Sequence, residues 1–269
     1  MVEVGSVVAL KPAVVSKSRL GVLVAPLRER LARCMALDTL TALSEATDQL
    51  IVVSDDPELP ARLARAGIRA RVVAEPAPDG MNAALAFGDR LLRDRGCRRV
   101  LASVGDLPAL TGAAVGDLLQ HTAELHRAFV PDHTGFGTTM LIAAAGELDP
   151  RFQGASAAAH RESGAVAVGD PDPRLRSDVD AVDDLAAVIA LGVGRHTARL
   201  LAGDRLGDYL AVTVADPVPT DGSAYVVIGD DGVRTVLPAE ALDSGIRFLR
   251  PGQRLHAVTD GEQLLSVWF

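Results

Sequence analysis

From residue 6 to residue 201, short apolar runs alternate with stretches in which apolar residues recur at helical spacing. The runs 6–10, 50–53, 71–74, 100–104, 128–131 and 140–144 predict strands, with shorter extended pieces at 166–168 and 177–180. Between the first two, Leu27, Leu31, Met35, Leu37, Leu40 and Leu43 fall on one face with arginines interleaved, which predicts an amphipathic helix over 26–43. Further helices are predicted over 59–66, 82–92, 113–126, 156–163, 183–190 and 196–201. Strands alternating with helices imply an α/β fold built on a doubly wound, mostly parallel sheet.

Past Gly203 the texture changes. Five short β-rich runs, 209–214, 224–228, 233–237, 254–258 and 264–269, are mostly separated by the turn signals Asp221-Gly222, Asp231-Gly232, Pro251-Gly252 and Asp260-Gly261. The expectation is a second, small β-barrel of the OB kind over 206–269, following an α/β domain over 1–205.

The apolar run 100–104 ends in Gly105-Asp106-Leu107-Pro108, a turn carrying one carboxylate. In open α/β sheets ligands lie beyond the carboxyl ends of the strands, at a topological switch point. Asp106 is therefore placed where a metal or a phosphate ester belongs, unless it merely caps the helix beginning near Thr111. Asp178-Val179-Asp180 is a second acidic segment, and residues two apart in an extended chain face the same side. Magnesium takes such carboxylate oxygens and completes its shell with phosphate oxygens and water. Asp178 reads as the ligand. Asp180, followed by Ala181-Val182-Asp183, reads first as a helix cap.

Composition narrows the partners. The formal charge is -8, which argues against a surface built for nucleic acid or anionic lipid. No apolar run approaches the length of a membrane span, and the start of the chain has no basic, apolar leader, so a cytoplasmic setting is expected. Cys34 and Cys97 form neither a disulfide framework nor a zinc pattern, and the six histidines show no ligand spacing; most are expected to be exposed, with His133 alone near the candidate site. Of 27 basic residues only Lys11 and Lys17 are lysines, and with Arg19 they form a basic loop after the first strand, suited to a triphosphate. It lacks the Gly-Lys-Ser/Thr of a Walker loop. The last region, from Asp208, holds nine acidic residues against four arginines and few aromatics, so it is expected to serve interaction or oligomerisation, a homodimer included, and to bind no nucleic acid.

Two loops could approach a ligand. Gly135-Phe136-Gly137-Thr138-Thr139 offers close backbone approach and two hydroxyls, as a phosphate or carboxylate cradle or as an ordinary turn. Asp79-Gly80-Met81-Asn82 reads as a helix start, with Asn82 as its cap or as a contact to a base edge.

Taken in order, Leu10-Lys11-Pro12, Lys17-Ser18-Arg19-Leu20, Met81-Asn82-Ala83-Ala84, Gly105-Asp106-Leu107-Pro108-Ala109-Leu110, Gly137-Thr138-Thr139 and Ser177-Asp178-Val179-Asp180 resemble the guanylyltransferases of deazaflavin coenzyme biosynthesis. The likeness runs over roughly residues 6–203. It implies a nucleotidyltransferase fold of the GT-A kind and transfer of GMP from GTP to phosphoenolpyruvate or 2-phospho-L-lactate, with release of pyrophosphate. It further implies that Asp106 and Asp178 hold magnesium with Asp180 assisting, that Lys11, Lys17 and Arg19 serve the triphosphate and catalysis, and that Asn82 contacts the nucleotide. Thr138 and Ser156, with Gly137 and Gly154, would receive the acceptor. Where the family tends to carry Phe-Gly before that serine, this chain has Phe152-Gln153 and then Gly154, which leaves the acceptor open. Two other readings stand beside this one. A molybdopterin or sugar-phosphate nucleotidyltransferase would share the fold and the paired carboxylates, and a non-catalytic nucleotide-binding protein would bind GTP without releasing pyrophosphate.

Overall fold

The computed structural model describes residues 3–10, 25–75, 79–144, 146–202, 208–215, 224–230, 232–238, 249–259 and 264–268. The chain divides near residue 198 into two compact units. Lys11, Lys17 and Arg19, the basic loop expected after the first strand, lie outside the described residues.

The first unit is a seven-stranded sheet of β1 (Val4–Ala9), β2 (Gln49–Val53), β3 (Arg71–Val73), β4 (Arg99–Ser103), β5 (Arg127–Pro131), β6 (Thr138–Ala143) and β7 (Val166–Ala167), in the order β3-β2-β1-β4-β6-β5-β7. All neighbours pair in parallel except β6, which is antiparallel to both β4 and β5. The chain runs from β1 outward through β2 to β3 and then returns to the other side of β1 as β4. The switch point expected to receive a ligand therefore lies where β1 and β4 end.

Apolar runs rather than alternating patterns mark these strands because both faces are covered. Val8, Val52 and Leu101 point into one core with Leu40 and Leu43 of α1 (Ala25–Ala46), Leu59 and Leu63 of α2 (Leu59–Arg65), and Val115 and Leu118 of α4 (Gly112–His121). Val7, Ile51, Val100 and Ala102 point into the other, with Ala84, Leu85 and Leu92 of α3 (Gly80–Asp94) and Ala157 of α5 (Ser156–Glu162). Helix α3 approaches β1 closely at Gly88, where an added Cβ would stand 2.3 Å from Cγ2 of the wholly buried Val7. Valine cannot swing away from such a contact, since its χ1 is stiff. Gly88→Ala is expected to cost roughly 1–3 kcal/mol by overpacking, read as a lower melting temperature with activity retained at low temperature.

Three expectations are corrected. The helix expected over 113–126 ends at His121 because the buried Arg99 guanidinium donates to the Leu119 carbonyl at 2.7 Å and to Thr122 Oγ1 at 2.6 Å, drawing the last turn down onto β4. Residues 177–180 form no strand; they link the short α6 (Pro173–Arg176), begun by an Asp172 cap, to α7 (Val182–Leu191). Thr138 and Thr139, expected in a turn, already belong to β6.

The second unit is a five-stranded antiparallel sheet, β8 (Asp208–Val214), β9 (Ala224–Gly229), β10 (Arg234–Pro238), β11 (Arg254–Thr259) and β12 (Leu264–Trp268), in the order β10-β9-β8-β11-β12. Val212, Tyr225, Val227, Leu237, Leu255 and Val267 form its core. No helix among the described residues is long and apolar enough to cross a membrane.

Candidate active site

A cavity of about 940 Å³ opens at the carboxyl ends of β1, β2, β3, β4 and β5. Because β6 runs the other way, its first residue, Thr138, reaches the same end.

Asp106 stands just beyond β4. It is not the helix cap: Thr111 caps α4, its hydroxyl accepting from the Ala114 amide at 3.2 Å. The Asp106 turn is instead fixed through its backbone. The Leu107 amide donates to Thr39 Oγ1 of α1 at 3.0 Å, the Pro108 carbonyl accepts from the Gly194 amide at 2.7 Å, and the Asp106 carbonyl accepts from the Val179 amide at 3.2 Å. Gly105 lets the Leu10 side chain pack against the turn, since a Cβ there would lie 2.4 Å from Leu10 Cδ2. The contact with Val179 joins the two acidic segments. Val179 is wholly buried, and Asp178 and Asp180 on either side of it bring their carboxylates together.

One carboxylate oxygen from each of Asp106, Asp178 and Asp180 lies within 4.8 Å of the others. Asp180 does not cap α7. Ala181 holds the N-cap position, and Asp184 in the first turn reaches back, its Oδ2 accepting from the amides of Asp180 at 2.9 Å and Ala181 at 2.7 Å. Burial, together with the charges of Asp106, Asp180 and Asp132, pushes the Asp178 carboxyl up to about 7. Its Oδ1 is buried without a hydrogen-bond partner among the described residues; His133 Nδ1 stands 3.8 Å away. Three gathered oxygen donors, one of them buried and unpartnered, fit a hard divalent cation. The rest of the cavity wall strengthens the case, because its described ionisable residues include Asp55, Asp56, Glu75, Asp132 and Asp184 against Arg33, Arg62 and His133.

Thr138 and Ser156 line the same cavity, as do Gly137, Gln153 and Gly154. The glycine turn before Thr138 does not cradle an anion with its amides. The Asp132 carboxylate accepts from Phe136 N at 3.1 Å, Gly137 N at 2.9 Å and Thr134 Oγ1 at 2.8 Å, so those donors are spent within the turn. Thr139 turns away from the cavity and donates to the Leu175 carbonyl at 2.6 Å. Asn82 is neither a cap nor turned to the cavity. It lies inside α3, donating from Nδ2 to the Phe152 carbonyl at 3.1 Å while its Oδ1 accepts from the Phe152 amide at 2.8 Å. This clamp fixes the segment in which Gln153 (φ 84°) and Gly154 (φ 57°) take left-handed conformations, a strained one for glutamine.

His160 was not singled out by the sequence, and the expectation that most histidines are exposed fails for it. It is wholly buried one turn after Ser156, with Phe129 and Phe152 at centroid distances of 5.7 and 5.2 Å. Its position four residues after a serine on a short helix was the available signal. Asp132, preceding His133-Thr134-Gly135, was likewise legible as an Asx-turn residue.

The family described as Guanylyl transferase CofC like matches residues 5–207 of this chain. Phosphoenolpyruvate guanylyltransferase of Mycolicibacterium gilvum is 38% identical over 208 residues, covering 74% of this chain and 95% of that protein. Phosphoenolpyruvate guanylyltransferase of Geodermatophilus obscurus is 42% identical over 177 residues, covering 65% of this chain and 80% of its own. Among solved structures, one from Desulfovibrio desulfuricans G20, provisionally named a nucleotide-diphospho-sugar transferase, shares the fold at a TM-score of 0.57 and 19% identity, covering 76% of this chain and 96% of its own.

Proposed function

The chain belongs to the CofC-like guanylyl transferase family, and on that premise we propose that it transfers GMP from GTP to the phosphate of phosphoenolpyruvate, with release of pyrophosphate. The observation that carries this reading is that the Asp106, Asp178 and Asp180 cluster lines the same cavity as Thr138 and Ser156 at the switch point. The three aspartates would hold magnesium, which supplies charge neutralisation on the nucleotide phosphates when bound. Lys11, Lys17 and Arg19 follow β1 directly in sequence and would bind the triphosphate and steady the departing pyrophosphate. The Thr138 and Ser156 hydroxyls, beside Gly137 and Gly154, would hold the acceptor.

In this reading an oxygen of the acceptor phosphate forms a bond to the α-phosphorus of GTP as the bond to the β-phosphate bridging oxygen breaks, and pyrophosphate leaves with that electron pair. An acceptor phosphate is anionic near neutral pH, so no residue has to remove a proton. The protein's contribution is then orientation of two anions and compensation of their charge. Asn82 takes part indirectly, holding Phe152 and with it the acceptor segment, rather than touching the nucleotide.

Gln153 lines the cavity where the family tends to carry glycine, so 2-phospho-L-lactate or another small phosphorylated acid stands beside phosphoenolpyruvate as a second acceptor to test. Pyrophosphate release measured with GTP, magnesium and phosphoenolpyruvate, 2-phospho-L-lactate, 3-phosphoglycerate or no acceptor tests both. Acceptor-dependent release is expected; release equal in all arms would remove the acceptor assignment. For the second unit we propose an OB-like barrel, supported by the strand order β10-β9-β8-β11-β12 and the approach of β10 to β12, serving interaction rather than nucleic-acid binding. A cytoplasmic enzyme of deazaflavin coenzyme biosynthesis is the setting that fits this reaction.

A further inference from the structure

Beside the acceptor wall lies a buried imidazole, His160, that is not among the residues lining the cavity. His160 Nε2 lies 2.9 Å from the Arg151 backbone nitrogen, and Nδ1 lies 3.0 Å from Thr138 Oγ1. A backbone N–H can only donate, so Nε2 is the acceptor and the proton of the neutral ring sits on Nδ1. Thr138 Oγ1 must then accept from His160. Its own hydroxyl hydrogen has no other hydrogen-bond partner among the described residues, and Thr138 lines the cavity. The neighbouring Thr139 shows the alternative, spending its hydrogen on the Leu175 carbonyl.

We propose that His160 is a positioning residue for the acceptor: by donating from Nδ1 to Thr138 Oγ1 it turns the Thr138 hydroxyl hydrogen into the cavity, toward an anionic group of a small phosphorylated acid. The inference rests on the reading above in which Thr138 contacts the acceptor. Two further observations support it. Burial and the nearby charges of Arg127 and Arg151, opposed by Asp149 and by a hydrogen bond to the Ser156 backbone, hold the imidazole down at about 4, so the ring stays neutral at physiological pH. The same ring holds the Arg151 amide while Asn82 holds Phe152, so one side chain registers both Thr138 and the segment leading to Ser156. His160 is no proton carrier, because both ring nitrogens are engaged away from solvent.

The test compares His160→Phe, which keeps an aromatic ring between Phe129 and Phe152, with His160→Asn, whose side-chain amide can still donate to Thr138, and with Thr138→Val alone and combined with His160→Phe. Steady-state constants for phosphoenolpyruvate and for GTP are read separately in protein shown to be folded by circular dichroism. His160→Phe is expected to raise the acceptor KM about tenfold with the GTP KM within about twofold, as for one lost hydrogen bond to a charged ligand. His160→Asn should recover much of that loss, and His160→Phe should add less than about threefold in the Thr138→Val background, because the two act as a unit. If Thr138→Val leaves the acceptor KM unchanged, the acceptor reading of Thr138 falls and this inference with it. If Thr138→Val raises it while His160→Phe does not, or the two effects multiply, this inference alone is overturned. Nitrogen-15 shifts of the His160 ring in the unaltered protein give an answer even where a variant fails to fold: the neutral Nδ1–H tautomer at pH 7 is expected, and an Nε2–H or charged ring would contradict it.

Discussion

Asp106→Asn is expected to lower turnover by about 10³-fold or more while the protein stays folded, in line with removing one charged holder of a metal from a phosphoryl-transfer site. The retained fold follows from how the turn is built. Thr111 caps α4, and the contacts that anchor this turn to Thr39, Gly194 and Val179 run through backbone atoms that asparagine also has. The loss follows from charge, because asparagine keeps the shape and removes one of the three carboxylate charges gathered for a cation. Pyrophosphate release checks the first part and circular dichroism the second. Near wild-type turnover would end the assignment of Asp106.

Asp178→Asn is expected to abolish activity and yet raise stability in metal-free buffer at pH 7. Asp178 is mostly buried, its Oδ1 has no hydrogen-bond partner among the described residues, and Asp106, Asp180 and Asp132 surround it with like charge. Folding lifts its carboxyl from 3.8 to about 7. A group whose folded value is raised gives its stabilising contribution in full below its unfolded value and loses it as the pH climbs through the folded one. The variant should therefore gain on the wild type as the pH rises from about 4 to about 7, reaching an advantage of roughly 1–2 kcal/mol, or about 3–6 °C in melting temperature. Added magnesium should stabilise the wild type by binding the native state and leave the variant nearly unmoved. A variant that melts lower than the wild type without metal, or answers magnesium equally, would contradict the electrostatic description of this cluster.

How far the sequence carried depends on which forces act locally. Strands β1, β2, β4 and β6 were legible because residues buried on both faces give unbroken apolar runs, and α1 because its leucines recur on one stripe. The pairing of Asp178 with Asp180 was legible for the same reason, an alternation about the buried Val179. The hydrogen-bond partners of loop amides were not. Asp180 reads in sequence as the cap of α7, yet the path of the chain after α6 puts Ala181 at the N-cap, with Asp184 reaching back to its amide. Asn82 and Phe152 are 70 residues apart, as Arg99 and Thr122 are 23, and no local pattern announces such pairs. Arg99 nonetheless decides where α4 stops, and Asn82 decides how the acceptor wall is held.

The central claim is that this cavity joins the α-phosphate of GTP to an acceptor phosphate. GTP labelled at the α-phosphorus, incubated with the protein, magnesium and phosphoenolpyruvate, is predicted to place the label in a new guanosine diphosphodiester of the acid, with unlabelled pyrophosphate released in equal amount. Label recovered as free GMP or remaining in GTP, with none joined to phosphoenolpyruvate, 2-phospho-L-lactate or 3-phosphoglycerate, would contradict the account.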